Sequence, residues 1–555
     1  MYEKPRTTRR LKVLTAFLLA LVLLFCTLSP LTALAAKPKK IRDFTRYPTV
    51  RLAGAKWALW NYYGTDQQYK IYTDKVPVKD GYIKAQAKVL IPKLMKAVVT
   101  NDYTDYANGL VDAVAGVYAD FVPDENGDPR NGSGRETTQA TEDKKKEDGT
   151  YDLSDYFFNN DWRLSPLVQA DKFKVFVDQV LAVTGAKKIN LYARCESSSV
   201  VLAYLKKYGC GKVASLLVDS YGSNGYLLAS YAFSGEVEMT RDMVYRWTNC
   251  YINNGVYDGP TNDYKIFDDT YTAELIKASL NVLTTGYSGE ALIRILMKIY
   301  EAVKDIALPG ILMNSYGRLL SYWSMVDVEH YEKARALLLS DPKWDTFRAR
   351  ADDYFYNVQC KTEEILDDCE AHGVKIQVIS KYGYEVLPVI QGHTFLSDGE
   401  VAVKDSSFGA TCAPNGEVFS KEYLDAAKAA GTDGYISADK KIDASTCRYP
   451  DQTWFVKNCS HNNIHTITRT LQLAFLRSGG TLTIHDDVTL PQYFFCDEGM
   501  GTYGPLTEDN APYTEMFDYM GPIRARLNFA KALFQFIGHR LKLAFEAAGD
   551  TLKKK

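Results

Sequence analysis

Cys195 lies where the sequence could present a nucleophile. Residues 188–193 form a short, largely apolar run typical of a buried strand, and residues 198–208 have the pattern of a helix. Because few residues separate the two segments, the chain must bend sharply at the thiol. A thiol beside an imidazole at a helix N-terminus ionises readily and can attack an acyl carbonyl. The pattern therefore predicts covalent chemistry at Cys195, and the alternative is a small buried apolar residue.

The segments around Cys195 alternate between strands and helices. Strands are predicted at residues 155–159, 188–193, 213–220 and 374–380, and helices at residues 167–184 and 198–208. Such alternation indicates βαβ units, and therefore the α/β class with a mostly parallel central sheet flanked by helices. Residues 239–372 have helical periodicity instead, which predicts a large helical cap over the carboxyl edge of the sheet. Open α/β sheets bind their ligands at that edge.

The chain divides into several predicted parts. They are a leader (1–36), the first part of the sheet domain (41–238) with a polar excursion (124–150), the helical cap (239–372), the second part of the sheet domain (373–520) and a C-terminal helix (521–555). The C-terminal helix is basic and amphipathic. It either makes a peripheral contact with an anionic membrane or packs on the sheet domain and turns its charges to water.

The leader has the features of a secretory signal peptide. Basic residues between Lys4 and Lys12 precede an apolar run at 13–28, and the small residues Ala33 and Ala35 follow as a cleavage site. The alternative is an uncleaved membrane anchor, but the apolar run is shorter than the roughly 20 residues that a bilayer span requires. We therefore expect an exported protein that is secreted or associated with the cell surface.

Composition narrows the classes of function. A net charge of -2 and 46% hydrophobic residues are typical of a globular protein with a large core, and they do not point to nucleic acid as a partner. Of ten cysteines, nine remain once Cys26 of the leader is set aside, and an odd number leaves at least one thiol unpaired. No cysteine or histidine spacing matches a zinc motif, so we expect no metal and no cofactor.

The sequence around Cys195 resembles a known superfamily. Ala193-Arg194-Cys195-Glu196-Ser197 stands where α/β-hydrolases carry G-x-S-x-G, the sharp strand-to-helix turn that bears their nucleophile. The runs INLYARCESSSVVLAYLKKYG and KVASLLVDSYGSNG resemble this region of bacterial lipases and esterases and of lecithin-cholesterol acyltransferase-like hydrolases, with cysteine in place of serine. Two earlier segments, YPTVRLAG and YFFNNDWRLSP, also resemble those proteins.

The resemblance implies a triad in the chain order nucleophile, acid, histidine, with the thiol as nucleophile. The segment SDGEVAV resembles the one that carries the acid in these lipases, which makes Asp398 the acid. Asp219, at the end of the strand after the predicted turn, is the alternative acid. The segment TWFVKNCSH makes His461 the base, with His393 and His465 as alternatives.

The resemblance also implies an oxyanion hole and an activity. Backbone N–H groups of Ala55 or Lys56, together with that of Glu196, would face the developing negative oxygen. We expect a carboxylic-ester hydrolase or acyltransferase that forms an acyl-enzyme at Cys195. Its substrate is expected to be an acyl ester or another apolar small molecule, because an aromatic-rich segment follows Gly54. The alternative is a hydrolase-fold protein without catalysis that binds an apolar ligand or a partner.

Overall fold

The protein is represented by a computed structural model. It describes residues 47–52, 58–72, 76, 78–79, 81–135, 139–147, 151–238, isolated residues between 271 and 282, and residues 286–384, 396–414, 417–461, 463, 466–497, 501–511 and 522–553. The predicted leader and the first part of the predicted cap, residues 239–270, lie outside these ranges.

The strands are β1 (Thr49–Leu52), β2 (Leu59–Asn61), β3 (Tyr69–Tyr72), β4 (Tyr156–Phe158), β5 (Ile189–Arg194), β6 (Val213–Asp219), β7 (Lys375–Tyr382), β8 (Thr411–Cys412), β9 (Ile442–Asp443), β10 (Thr453–Lys457), β11 (Tyr493–Asp497) and β12 (Thr502–Pro505). The α-helices are α1 (Tyr82–Thr100), α2 (Thr104–Tyr118), α3 (Pro166–Thr184), α4 (Ser197–Tyr208), α5 (Leu227–Phe233), α6 (Gly286–Met313), α7 (Leu320–Trp323), α8 (Tyr331–Leu338), α9 (Asp345–Asn357), α10 (Thr362–Ala371), α11 (Val403–Ser406), α12 (Lys421–Ala430), α13 (Thr466–Arg477) and α14 (Pro522–Lys553).

Eight strands form one central sheet in the order β12-β11-β10-β7-β6-β5-β1-β4. All neighbours in it run parallel except β11 and β12, which are antiparallel. The predicted strands at 155–159, 188–193 and 213–220 correspond to β4, β5 and β6, and the predicted helices between them correspond to α3 and α4. The predicted α/β architecture with a mostly parallel sheet flanked by helices is confirmed.

The central strands are apolar because both faces of the sheet are covered. On one face, Leu191 and Val218 lie in a buried cluster with Phe173 of α3 and Val201 of α4. On the other face, strand residues lie in a second buried cluster with residues of α13, among them Phe475. A parallel sheet needs this double covering, and burial of the aliphatic side chains stabilises it. The sheet therefore holds the ends of its strands, where Cys195 follows β5, in a rigid frame.

Helices from distant parts of the sequence pack together in one buried cluster. Residues of α1 and α2, including Leu94 and Leu110, share one buried cluster with Leu296 and Ile299 of α6. The long helix inside the predicted cap region is therefore packed against helices that precede the predicted turn by about 100 residues of sequence. Helical periodicity predicts each helix separately, but the pairing depends on contacts distant along the chain.

The C-terminal helix α14 leaves a row of apolar side chains in water. Ile523, Leu527, Phe534 and Leu541 are all more than half exposed, and Phe534 reaches 75%. Their spacing of four or seven residues places them on one side of the helix. Among the described helices, none combines the length and apolar character needed to cross a bilayer. The predicted peripheral contact of α14 with a membrane stays a prediction.

Candidate active site

Cys195 occupies a strained bend between β5 and α4. Its φ angle is +54°, in the left-handed region that residues other than glycine rarely adopt. The bend is held by hydrogen bonds from the Cys195 N–H to the Asp219 carbonyl (3.2 Å) and from the Ser198 N–H to the Cys195 carbonyl (3.0 Å). Strain of this kind persists only where the surrounding structure enforces it, and it is common at functional sites. The sharp bend predicted from the sequence is present.

Small residues flank the bend where the strand and helix approach each other. Ala193 and Ser197 are fully buried, two positions before and after the thiol. The Ser197 hydroxyl donates a hydrogen bond to the carbonyl of Arg194 (2.7 Å), so this residue also ties the end of β5 to the start of α4. Serine thus fits the space that glycine fills in the G-x-S-x-G pattern and adds a polar contact.

His461 and Asp398 form a buried pair beside this bend. Their side chains are at most 2% exposed, and the His461 Nδ1 atom lies 2.8 Å from Asp398 Oδ2. Two backbone N–H groups, of Glu400 (3.1 Å) and Val401 (2.8 Å), donate to the other carboxylate oxygen. The backbone N–H of His461 also donates to the backbone carbonyl of Asp398 (2.7 Å). Contacts of the backbone and of the side chain therefore both fix the position of the ring.

Charges around the pair set its protonation. Burial raises the pKa of Asp398, but the nearby His461 and the backbone hydrogen bonds outweigh it and lower that pKa on balance. Burial lowers the pKa of His461, but Asp398, Glu400 and Cys195 outweigh it and hold that pKa well above its ordinary value. The arrangement therefore favours a charged imidazolium next to a charged carboxylate.

Cys195, His461 and Glu400 converge on one point. The sulfur, a ring nitrogen of His461 and a carboxylate oxygen of Glu400 all lie within 4.8 Å of one another. Glu400 Oε2 is 3.4 Å from His461 Nε2, and the Glu400 side chain is 21% exposed. The structure thus brings the three predicted side chains Cys195, His461 and Asp398 together. Their catalytic roles stay predictions.

Glu400 is a site residue that the sequence reasoning missed. It lies two residues after Asp398 in the segment SDGEVAV, so the signal was present in the motif itself. The motif was interpreted through its aspartate alone. Because Gly399 adopts a φ of +100°, the chain turns between the two acidic residues, and both carboxylates reach the same imidazole from different sides.

Asp219, the alternative acid, is the centre of a different buried cluster. Its carboxylate lies 2.9 Å from Lys381 Nζ and 3.9 Å from Arg194 Nε. It also accepts hydrogen bonds from the hydroxyls of Tyr192 (3.1 Å) and Ser220 (3.0 Å). Burial raises the pKa of Asp219, but the two cations outweigh it and lower that pKa on balance. We name this group the Asp219 cluster; it comprises Asp219, Lys381, Arg194, Tyr192 and Ser220.

Two cations of the Asp219 cluster donate hydrogen bonds to backbone carbonyls of the segment that contains His461. Arg194 donates a hydrogen bond to the His461 carbonyl, and Lys381 donates one to the Asn463 carbonyl (3.0 Å). Both cations also contact Asp219. Asp219 thus contacts two cations that donate to the backbone at and after His461, whereas Asp398 contacts the imidazole directly.

Of the predicted oxyanion-hole residues, Glu196 is described, whereas Ala55 and Lys56 lie outside the described residues. His393 and His465, the alternative bases, also lie outside them. Glu196 directly precedes α4, and its side chain is buried, with Oε2 accepting a hydrogen bond from Asn160 (3.2 Å). Burial raises the pKa of this carboxyl to about 8, opposed by the Asn160 hydrogen bond and reinforced by Asp161. Glu196 is therefore largely neutral at pH 7.

We expect this buried carboxyl to make the protein less stable as pH rises. The unfolded chain loses the Glu196 proton near pH 4.5, whereas the folded protein keeps it up to about pH 8. The unfolded state therefore binds fewer protons between these values, so its free energy falls relative to the folded state, by at most about 1.4 kcal/mol per pH unit. Glu196→Gln removes the titrating group and should flatten the dependence.

Urea unfolding at intervals from pH 4.5 to pH 9 checks this expectation. The difference in unfolding free energy between Glu196→Gln and the wild type should grow in favour of the variant up to about pH 8 and then stay constant. The exposed Glu417→Gln is the matched control and should follow the wild type. A constant difference across the whole range would contradict the assigned burial effect.

An apolar surface borders the sulfur. Cys195 is partly exposed and packs, together with Tyr322, against a small buried cluster of Tyr226, Ala229, Met325 and Val401. The thiol therefore lies between a charged side, formed by His461 and Glu400, and an apolar side. Such a surface can accommodate the hydrocarbon part of a small molecule while its polar group faces the imidazole.

The site combines a thiol at a strained bend, an imidazole and a carboxylate that contacts the imidazole, a set of groups that could attack an acyl carbonyl. No protein-family model, no curated protein and no solved structure matches the chain.

Proposed function

We propose that the protein is an α/β-hydrolase-fold enzyme that cleaves or transfers carboxylic esters through a Cys195 thiolate. One observation carries the proposal: Cys195, in a left-handed bend between a parallel strand and a helix, lies within 4.8 Å of a histidine whose Nδ1 atom contacts Asp398. Nucleophile, orienting acid and base, at Cys195, Asp398 and His461, then follow one another along the chain in the order that this fold uses.

The residues suggest the following reaction. The Cys195 sulfur attacks the ester carbonyl carbon, and the carbonyl oxygen takes the negative charge beside the backbone N–H of Glu196. The tetrahedral species expels the alcohol, which takes a proton from the His461 imidazolium, and a thioester to Cys195 remains. His461 then removes a proton from a water molecule that attacks the thioester, which releases the acid and restores the thiolate. If an alcohol replaces water, the same steps transfer the acyl group.

Two positively charged features lie near the sulfur of Cys195. Asp398 supports a positive imidazole, and an imidazolium beside the sulfur stabilises a thiolate. The start of α4 adds the partial positive charge of a helix N-terminus.

The surroundings of the thiol support an uncharged, apolar acyl group. The cluster around Tyr226, Met325 and Val401 offers hydrocarbon and aromatic contacts next to the sulfur. Glu400 places a negative charge close to the imidazole, so it disfavours an anionic substrate group at this side. An ester with an apolar acyl chain fits both features.

A second candidate function is binding without catalysis. It is favoured by the 3.4 Å separation of Glu400 Oε2 and His461 Nε2, because a carboxylate there competes with the thiol for the nitrogen that would serve as base. In that case the apolar cluster would hold a ligand that is not turned over.

Export of the chain stays a prediction from its leader.

Trapping of the covalent intermediate tests the proposed function. The protein is mixed with a short-chain activated ester, quenched in acid and analysed by mass spectrometry of its peptides. We expect the acyl mass on Cys195 and a burst of released alcohol equivalent to one site per chain. The matched control is the partly buried Cys412, which should stay unmodified. Absence of both acylation and turnover, with selective binding of an apolar ester, would favour the second candidate.

A further inference from the structure

We propose that Cys195, His461 and Glu400 form a binding site for Zn²⁺, and that the bound ion blocks the active site. Three different donor atoms, a thiol sulfur, an imidazole nitrogen and a carboxylate oxygen, lie within 4.8 Å of one another. Motif spacing in the sequence cannot reveal this set, because its members come from three separate segments of the chain.

The donor set suits zinc better than the other common divalent ions. Sulfur, nitrogen and carboxylate oxygen are the usual Zn²⁺ ligands, whereas Mg²⁺ and Ca²⁺ prefer sites made of oxygen alone. Zinc bonds of about 2.0–2.3 Å in a tetrahedron place ligand atoms roughly 3.3–3.5 Å apart. The separation of His461 Nε2 and Glu400 Oε2, 3.4 Å, already matches this requirement. The Cys195 sulfur, which lies within 4.8 Å of both atoms, would be the third ligand.

The Nε2 atom of His461 is placed so that it could bind a ligand. The His461 Nε2 atom is buried, makes no hydrogen bond within the described residues, and faces Glu400 Oε2 at 3.4 Å. Its Nδ1 atom contacts Asp398, which in turn accepts hydrogen bonds from two backbone N–H groups. Zinc-bound histidines usually contact a carboxylate in this way through the nitrogen that faces away from the metal. The burial of this nitrogen, and its lack of a hydrogen bond within the described residues, therefore add to what the three converging donors indicate.

Bound zinc affects the proposed chemistry directly. It engages the sulfur electron pair and the nitrogen that would accept a proton, so neither can act on an ester. The thiolate is also shielded from oxidation while the ion is bound, which would matter in the oxidising compartment that the leader predicts. Only this inhibitory part rests on the proposed function; the binding itself rests on the three donor atoms.

Metal binding is measured on protein first freed of metal by a chelator. Cys360 is exposed, so it is replaced by serine throughout to remove an unrelated thiol. We expect about one tightly bound Zn²⁺ per chain, and with Co²⁺ in its place an absorption band of thiolate-to-metal charge transfer. Cys195→Ala should abolish the band, and Glu400→Gln should weaken zinc binding about tenfold or more. Glu417→Gln, an exposed control, should bind as the parent does.

The same proteins distinguish failure of this inference from failure of the proposed function. Zinc should slow alkylation of Cys195 by iodoacetamide and, where esters are turned over, inhibit turnover; Glu400→Gln should need at least tenfold more zinc for either effect. Zinc binding without any turnover would overturn the function and leave the site standing. Equal binding by Cys195→Ala, by Glu400→Gln and by the parent would overturn the site. Circular dichroism verifies that each variant is folded, and Glu400→Ala serves if the glutamine variant is not.

Discussion

Replacing Cys195 with alanine is expected to lower ester turnover by roughly four orders of magnitude or more, because the acyl group then has no acceptor on the enzyme. His461→Ala should have a comparable effect, since the thiol loses its base. The two side chains act as one unit, so the double variant should be no slower than the slower single variant. Initial rates with an activated ester, compared across the four proteins, measure this non-additivity.

The same rate measurements, made on variants of the two candidate acids, distinguish Asp398 from Asp219. Asp398→Asn keeps the shape of the side chain but loses the charge that favours the imidazolium, and we expect a loss of about a thousandfold or more. Its unfolding free energy should change less than that of Asp219→Asn. Multiplicative losses in the Cys195 and His461 double variant, or an active Asp398→Asn, would argue against the triad.

The second large effect is expected on folding. Asp219→Asn should reduce the free energy of unfolding by about 3–5 kcal/mol, because it leaves the buried side chains of Lys381 and Arg194 without their carboxylate. A buried cation without a counter-charge is strongly destabilising, whereas removing both members of a pair is often nearly neutral. The loop that carries His461 should loosen as well, since both cations donate to its backbone.

Urea unfolding of three variants measures this effect. Asp219→Asn should be the least stable, and the double variant Asp219→Asn with Lys381→Met should recover part of the loss. The matched control is Asp439→Asn, which removes a carboxylate from another buried pair, with Lys457 at 2.9 Å. It should destabilise without changing hydrogen exchange of the His461 loop. If the loop exchanges equally in both variants, the Asp219 cluster does not position it.

The bend at Cys195 could be predicted from sequence because it depends on local patterns. A run of apolar residues ends just before the thiol, a helical pattern begins just after it, and the two must meet in a turn. His461 and Asp398 could be suggested only through a resemblance, since nothing local shows that residues 63 positions apart are adjacent. The central sheet brings them together, because β7 and β10 are neighbours and both end near this point.

The charged residues around the site were beyond sequence reasoning. Lys381 lies within strand β7, and a lysine in a strand gives no sign of its partner on the neighbouring strand β6. Arg194 and Glu196 are unusual neighbours of the thiol. Arg194 is a buried cation of the Asp219 cluster, whereas Glu196 is a buried acid that is mostly neutral. Burial and partners distant along the chain determine which of these two residues is charged, and a single sequence does not show either.

The exposed apolar row on α14 has a consequence for the protein in solution. Phe534 and its neighbours face water over several turns of the helix, among arginine and lysine side chains. A helix with such an exposed apolar row is amphipathic, so we expect it to adsorb to air–water interfaces and to plastic surfaces. We also expect it to promote self-association of the protein as concentration rises. A chain shortened before Pro522 would lose this surface activity while keeping every residue of the candidate active site.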